Sequence, residues 1–164
     1  MLEMPKLWQP VLDFWFGDSL EAGWPAKSRN GLWFRADAAL DEEIRHHFGA
    51  MVEAAVQQEW VDWEAKPLSR LALVLLLDQF TRNVYRGSAE AFSGDHRAVT
   101  LVMEGIARGM DRQMPWIGRV FFYMPLMHAE DADLQLECLA AFRQLREDVP
   151  QELQEQVDGN IRFA

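Results

Sequence analysis

The most informative stretch of the sequence runs from Pro67 to Gly87, where a run of apolar residues passes abruptly into polar ones. Leu71 to Leu77 are apolar on every side of a helical wheel, which indicates a helix surrounded by other elements. Pro67 suits the first turn of a helix, and Gly87 suits its C-terminal cap. We therefore predict a central buried helix that ends in a dense polar cluster.

Apolar residues recur at helical spacing in six further segments, whereas no stretch shows the alternation of a β-strand. These segments are Trp8–Phe16, Asp37–Glu59, Asp95–Met110, Trp116–His128, Asp131–Glu147 and a last stretch from Pro150. Because short links join them, we predict an all-α fold in which consecutive helices form antiparallel pairs. The expected pairs are Asp37–Glu59 with the central helix, Asp95–Met110 with Trp116–His128, and Asp131–Glu147 with the last stretch. Repeat solenoids stack helix pairs of about this size.

Local signals give further expectations at three of these helices. Asp37 is a good N-cap, and the acidic residues 41–43 in the first turns suit the helix dipole. Asp95 is expected to cap its own helix. Pro125 predicts a kink or a stop near the end of the helix that contains it, because proline removes one helical hydrogen bond.

The segment Asp18–Arg35 contains two glycines and one proline, and we predict that it is irregular. It nevertheless carries three aromatic residues, Trp24, Trp33 and Phe34. Apolar aromatic residues in a loop either fold back over the core or form a lid over a pocket. Both interpretations stay open at the level of the sequence.

Charge and cysteine content narrow the classes of function. The 164 residues carry a formal net charge of −10, which disfavours nucleic acids and anionic membrane surfaces as partners. The one cysteine, Cys138, occupies an apolar helical position and is predicted to be a buried core residue. The N-terminus lacks a signal-peptide pattern, and the longest apolar run is too short to span a bilayer. We predict one cytoplasmic domain over residues 1–164.

The polar end of the central helix is the first candidate site. On a helix Asp78 and Arg82 share a face, while Gln79, Asn83 and Arg86 form a second ridge. One interpretation is structural: Asp78 pairs with Arg82, and Asn83 and Arg86 cap backbone carbonyls. The other is functional, because two arginines one turn apart with amides beside them suit a carboxylate or a phosphate.

A second polar cluster, His128, Glu130 and Asp131, follows Pro125. A histidine near carboxylates can act as a general base or bind a metal, although no second histidine stands at a ligand spacing. A purely structural loop is the third interpretation. If the helix pairs pack side by side, this cluster lies near Arg82, Asn83 and Arg86, and we state that convergence as a hypothesis.

Three motifs resemble a known family. They are LDFWFG at Leu12–Gly17, RLALVLLLDQFTRNVYRG at Arg70–Gly87 and MPLMHAED at Met124–Asp131, together with Trp33–Phe34, Phe92 and Asp95. In these motifs the chain is similar to the bacterial domain-of-unknown-function family 924, over nearly its whole length. The resemblance implies a tetratricopeptide-like, right-handed array of helix pairs and says little about activity. It also implies that family members continue past Ala164, so we expect this chain to lack a C-terminal helix.

Three functions remain open from the sequence. The first is a binding module in which Arg82, Asn83 and Arg86 hold a peptide or a small anionic ligand. The second is a hydrolase-type enzyme that uses His128 with Glu130 or Asp131, although no nucleophile elbow, HExxH, phosphate loop or paired-cysteine motif is present. The third is a structural or homo-oligomeric role, with the seven tryptophans leaving an exposed aromatic patch. We predict no cofactor and no metal.

Overall fold

The computed structural model describes residues 6–27, 29–34 and 37–163, and every regular element in these ranges is helical. The all-α prediction is therefore confirmed. The α-helices are α1 Gln9–Phe16, α2 Ser19–Ala22, α3 Asn30–Trp33, α4 Ala38–Val56, α5 Pro67–Leu75, α6 Thr81–Val84, α7 Asp95–Ala107, α8 Trp116–His128, α9 Ala132–Asp148 and α10 Gln154–Phe163. Short 3-10 turns at Val61–Ala65, Ala89–Phe92, Asp111–Gln113 and Gln151–Leu153 lie between them.

The predicted central helix is present and buried. Every residue from Leu71 to Leu77 has no exposed surface. Helix α5 packs against α1, α7, α8 and the 3-10 turn Val61–Ala65, so other elements surround it. Complete burial removes the apolar surface of this run from water, which is the main favourable contribution to folding.

The central helix contains a π-helical turn, Leu76–Phe80, between α5 and α6. Within it the amide of Thr81 donates to the carbonyl of Leu76, five residues back, instead of to that of Leu77. The carbonyl of Leu77 accepts from the Thr81 hydroxyl at 2.9 Å, which replaces the missing backbone bond. Isolated π turns inside α-helices often mark functional sites.

Most predicted helix boundaries agree with the structure. Asp37 caps α4 through bonds from the amides of Ala39 and Leu40, at 2.8 and 3.3 Å. The helix α8 continues through Pro125 to His128, so the proline does not end it. The region predicted as irregular contains two short helices, α2 and α3.

Asp95 is the first residue of α7 and does not cap it, because Gly94 occupies that position. A β-carbon at Gly94 would lie 2.5 Å from the carbonyl oxygen of Leu77. Only glycine therefore lets the start of α7 approach the π turn this closely. This approach brings the Asp95 side chain to the polar end of the central helix.

Consecutive helices pack together as the sequence pattern predicts. Helix α4 contacts α6 and the π turn, α7 contacts α8, and α9 contacts both α8 and α10. The right-handed tetratricopeptide-like array stays a prediction. No helix within residues 6–27, 29–34 and 37–163 is both long enough and apolar enough to cross a membrane.

Aromatic rings from the N-terminal third fold back onto the core. The rings of Trp15 and Trp33 lie 5.5 and 4.8 Å from that of Phe121 in α8. All seven tryptophans are buried or partly buried, so they do not supply the exposed aromatic patch expected for an oligomer. Among the side chains that the structure describes, the large exposed rings are those of Phe34 and Phe92. Cys138 is fully buried, as predicted.

Candidate ligand-binding cleft

Two adjoining depressions lie at the polar end of the central helix. The aromatic cavity has a volume of about 300 Å³ and is lined by Trp15, Leu32, Trp33, Phe34, Gln79, Arg82, Asn83 and Arg86. The loop depression has a volume of about 420 Å³ and is lined by Arg82, Arg86, Gly87, Ser88, Ala89, Ala91 and Phe92. Both share Arg82 and Arg86, so the two guanidinium groups stand at their border. The aromatic cavity lies at the lower end of the volumes typical of small-molecule sites.

A carboxylate from α4 holds one side of this border. Asp41 accepts hydrogen bonds from Arg86 at 2.5 Å through Nε and 3.0 Å through Nη2, and from the Asn83 amide at 2.9 Å. Asp41 is only 7% exposed. Burial acts to raise its pKa, but the hydrogen bonds from Arg86 and Asn83 and the charges of Arg86 and Arg45 outweigh it and lower the pKa below its usual value.

These hydrogen bonds from Asn83 and Arg86 to Asp41, called the clamp below, correct two expectations from the sequence. Asn83 and Arg86 do not cap backbone carbonyls; they bind the side chain of Asp41. Asp41 itself is more than a first-turn charge that suits the helix dipole, since it is buried and bonded to two side chains more than 40 positions away. Glu42 and Glu43, its exposed neighbours, fit the dipole explanation.

A second carboxylate, Asp78 in the π turn, is the centre of the other side. It is 1% exposed and lies 2.9 Å from Nδ1 of His128. The Gln79 amide donates to it at 2.8 Å, and Nη1 of Arg82 lies 3.5 Å away. The structure therefore brings the two predicted clusters together through Asp78, which Arg82 and His128 share.

Arg82 also contacts the start of α7 and the 3-10 turn Ala89–Phe92. Its Nη1 lies 3.4 Å from Asp95 Oδ1, and its guanidinium carbon lies 5.4 Å from the centre of the Phe92 ring. The same nitrogen donates to the backbone carbonyl of Asp78. Burial raises the pKa of Asp95, and the positive charge of Arg82 opposes that rise.

Glu130 and Asp131 are not part of this cluster. Asp131 caps α9 by accepting from the amide of Leu134 at 3.1 Å, and Glu130 is exposed. The carboxylate partner of His128 is thus Asp78, not Glu130 or Asp131 as the sequence suggested. In the described parts of the chain, no three His, Cys, Asp or Glu side chains are grouped so that they could hold a metal ion.

The cleft is rich in hydrogen-bond donors. Within the described residues, Nη1 of Arg86 and both Nε and Nη2 of Arg82 have no hydrogen-bond partner. The indole N–H of Trp15, a residue of the aromatic cavity wall, also lacks a partner in the part of the chain that the structure describes, but it is buried and does not reach the surface of the cleft. The indole N–H of Trp33, in contrast, donates to the carbonyl of Trp15 at 2.9 Å.

Local charge decides what these donors offer. The carboxylates of Asp41, Asp78 and Asp95 face the guanidinium groups of Arg82 and Arg86. Three carboxylates against these two guanidinium groups and that of Arg45, whose charge also acts on Asp41, leave no excess of positive charge at the border. The arginines therefore present fixed, directional donors rather than a strong positive field.

The fold and the cleft define an all-helical protein with a candidate small-molecule site. The chain belongs to the family described as bacterial protein of unknown function (DUF924), whose model matches residues 11–164. It is also similar to a solved structure of a protein of unknown function, ATU0120 from Agrobacterium tumefaciens. The two chains are 33% identical and superpose with a TM-score of 0.71, over 94% of this chain and 80% of the other. No curated protein matches the chain.

Proposed function

We propose that this protein binds a small organic acid in the cleft, with the carboxylate at Arg82 and Arg86 and an apolar ring in the aromatic cavity. The observation that carries this proposal is the composition of the cavity wall. Three aromatic rings line one part, while two guanidinium groups and two side-chain amides line the other. An apolar wall with a few convergent polar groups is the usual form of a small-molecule site.

The charge balance favours one carboxylate over a phosphate. A doubly charged phosphate would add repulsion from Asp41, Asp78 and Asp95 without an excess of positive charge to offset it. A single carboxylate uses the donors of Arg82 and Arg86 that have no partner among the described residues, at a lower electrostatic cost. The cavity volume of about 300 Å³ supports a small molecule in preference to an extended peptide.

A tetratricopeptide-like array, a cytoplasmic location and homo-oligomerisation stay predictions from the sequence.

Calorimetric titration tests this proposal with 3-phenylpropionate and its neutral amide, 3-phenylpropanamide. We expect the acid to bind at least about tenfold more tightly, because only the carboxylate forms charge-assisted bonds with the guanidinium groups. Thermal shift gives a second readout, since a ligand at 100 times its dissociation constant adds about 2.7 kcal/mol of stability. If the acid and the amide bind equally, or neither binds, the proposal is wrong.

The site variants are chosen to keep the fold intact. Phe34→Ala removes a ring that is 61% exposed, and Arg86→Lys removes the forked donors at the border while it keeps a positive charge beside the buried Asp41. Both are expected to weaken the binding of 3-phenylpropionate. Leu136→Ala is the matched control, because Leu136 is 63% exposed and lies in α9, outside the lining of the cleft. An equal loss in all three variants would contradict a site at the cleft.

A hydrolase-type enzyme is the second candidate, and the contact between His128 and Asp78 favours it. A buried carboxylate at Nδ1 orients an imidazole ring and leaves Nε2 as the base, which is the arrangement that activates water in hydrolases. The His128 side chain is 32% exposed, so solvent reaches the ring. In this function Asp78 has the role that the sequence analysis assigns to Glu130 or Asp131.

Hydrolysis of a panel of small p-nitrophenyl esters and anilides tests this second candidate. The wild-type protein is expected to hydrolyse at least one member, and His128→Gln is expected to lower that rate by about 10²–10⁴-fold. Asp78→Asn should also lower it, because the amide no longer fixes the tautomer of the ring. Glu130→Gln is the control and should keep the full rate. Rates equal to those without protein, or unchanged in His128→Gln, would exclude this function.

A further inference from the structure

The position of the two arginines at the border carries an inference about the ligand. Arg82 and Arg86 line both the aromatic cavity and the loop depression. An acid group bound at these two guanidinium groups therefore borders both depressions. A ligand with only one substituent beside its carboxylate fills one depression and leaves the other to water.

The walls of the two depressions suit different groups. The aromatic cavity presents Trp33 and Phe34, which suit a planar ring. The loop depression presents Ser88 and Ala89, which are small, beside the exposed ring of Phe92. Small residues leave room for a compact group.

Ser88 gives the loop depression a polar atom. Its hydroxyl oxygen accepts from the amide of Glu90 at 3.2 Å and so caps the 3-10 turn that follows. The hydroxyl proton has no acceptor among the described residues, so it can donate to a ligand carbonyl. A compact group with a carbonyl oxygen matches this depression better than a hydrocarbon does.

We propose that the ligand is an N-acyl α-amino acid with an aromatic side chain. Its α-carbon bears the carboxylate for Arg82 and Arg86, the ring for the aromatic cavity, and an acylamino group for the loop depression. This inference rests on the proposed function and adds the class of acid that the cleft binds. The same chemistry occurs at the C-terminus of a peptide, and a peptide probe distinguishes that source from the free small molecule.

The test compares N-acetyl-L-phenylalanine with 3-phenylpropionate by calorimetry, because they share the ring and the carboxylate and differ in the acylamino group. We expect N-acetyl-L-phenylalanine to bind at least about tenfold more tightly, which corresponds to about 1.4 kcal/mol. The affinities for N-acetyl-D-phenylalanine and for the L form should differ by several-fold, since inversion exchanges the two substituents between unlike depressions. Equal affinities for the two enantiomers would contradict the inference. Equal affinities for N-acetyl-L-phenylalanine and 3-phenylpropionate would overturn this inference and leave the proposed function standing. Binding of neither acid would overturn the proposed function itself.

A variant that fills the loop depression separates its contribution from that of the aromatic cavity. Ala89 is exposed, so Ala89→Trp occupies the depression without disturbing the core. It is expected to lower the affinity for N-acetyl-L-phenylalanine by about tenfold and that for 3-phenylpropionate by a much smaller factor. An unchanged affinity for N-acetyl-L-phenylalanine in this variant would contradict the inference. An octapeptide ending in phenylalanine is the last probe: tighter binding than N-acetyl-L-phenylalanine, by tenfold or more, would replace the small molecule by a chain terminus.

Discussion

Replacement of Asp41 by alanine is expected to destabilise the protein far more than replacement of its acidic neighbours on the same helix. The carboxylate of Asp41 accepts three hydrogen bonds, two from Arg86 and one from Asn83, and it joins α4 to the end of the central helix. In Asp41→Ala the Asn83 amide, which is 7% exposed, loses its partner. The Arg86 guanidinium, in contrast, can turn to water.

The magnitude follows from these two losses. A buried donor left without a partner costs about 1–3 kcal/mol, and a hydrogen bond to a charged group contributes about 1.5–3 kcal/mol when buried. The Arg86 side chain is 45% exposed, so solvent screens its bonds and we count only a fraction of that value. We therefore expect a loss of about 2–4 kcal/mol in the free energy of unfolding. For a chain of this size, this corresponds to a fall of roughly 4–15 °C in Tm.

Urea denaturation at pH 7 measures this loss, with Glu43→Ala as the matched control. Glu43 lies in the same first turns, is exposed, and is expected to cost about 0.3–1 kcal/mol through the helix dipole. If Asp41→Ala and Glu43→Ala lose the same stability, the charge of Asp41 acts only on the helix dipole and the clamp is not stabilising.

The contribution of the Asp41 carboxylate to the free energy of unfolding depends on pH in a defined way. The folded pKa of Asp41 lies below its ordinary value of 3.8. The stabilising effect is therefore fully present above the unfolded pKa and is lost as pH falls through the folded pKa. The difference in stability between the wild type and Asp41→Asn should stay constant from about pH 7 to 5 and shrink below about pH 4. A difference that grows on acidification would contradict this assignment.

Two further outcomes follow from the packing. Gly94→Ala should cost about 1–3 kcal/mol of stability, because the new methyl group would lie 2.5 Å from the carbonyl oxygen of Leu77. Its control, Gly49→Ala, lies at an uncrowded position inside α4 and should stabilise the protein by about 0.5–1 kcal/mol. Equal effects of the two variants in a thermal melt would argue against the close approach at Gly94. Burial raises the pKa of the Cys138 thiol to about 12. This thiol should therefore react with a disulfide reagent at pH 8 only after unfolding. Rapid reaction of the folded protein would show that the thiol is accessible.

The helices could be predicted from the sequence because their signals are local. The all-round apolar pattern of Leu71–Leu77 identifies a buried helix without knowledge of its neighbours. Asp37 caps its helix as predicted, since capping depends on residues two or three positions away. The π turn is different, because a helical pattern alone does not reveal an added residue. The sequence therefore predicts a continuous central helix that begins at Pro67.

The site could be predicted only where two helix ends were expected to meet. The pairing of helices correctly suggested that His128 lies near the polar end of the central helix, and the shared carboxylate is Asp78. Asp41 was missed because it stands beside two exposed acidic residues that the helix dipole explains. Its periodicity was a usable signal, since Asp41 lies on the same buried face as Ile44 and Phe48. A polar residue on an apolar face needs a partner, and here that partner lies 45 positions away.

The most direct test of the proposed site is a crystal structure of the protein with 3-phenylpropionate at saturating concentration. We predict that the carboxylate lies within about 3 Å of Nη1 of Arg86, or of Nε or Nη2 of Arg82. The ring should contact Trp33 and Phe34. An acid molecule bound elsewhere, or a cleft without the acid at that concentration, would contradict a carboxylate site at the end of the central helix.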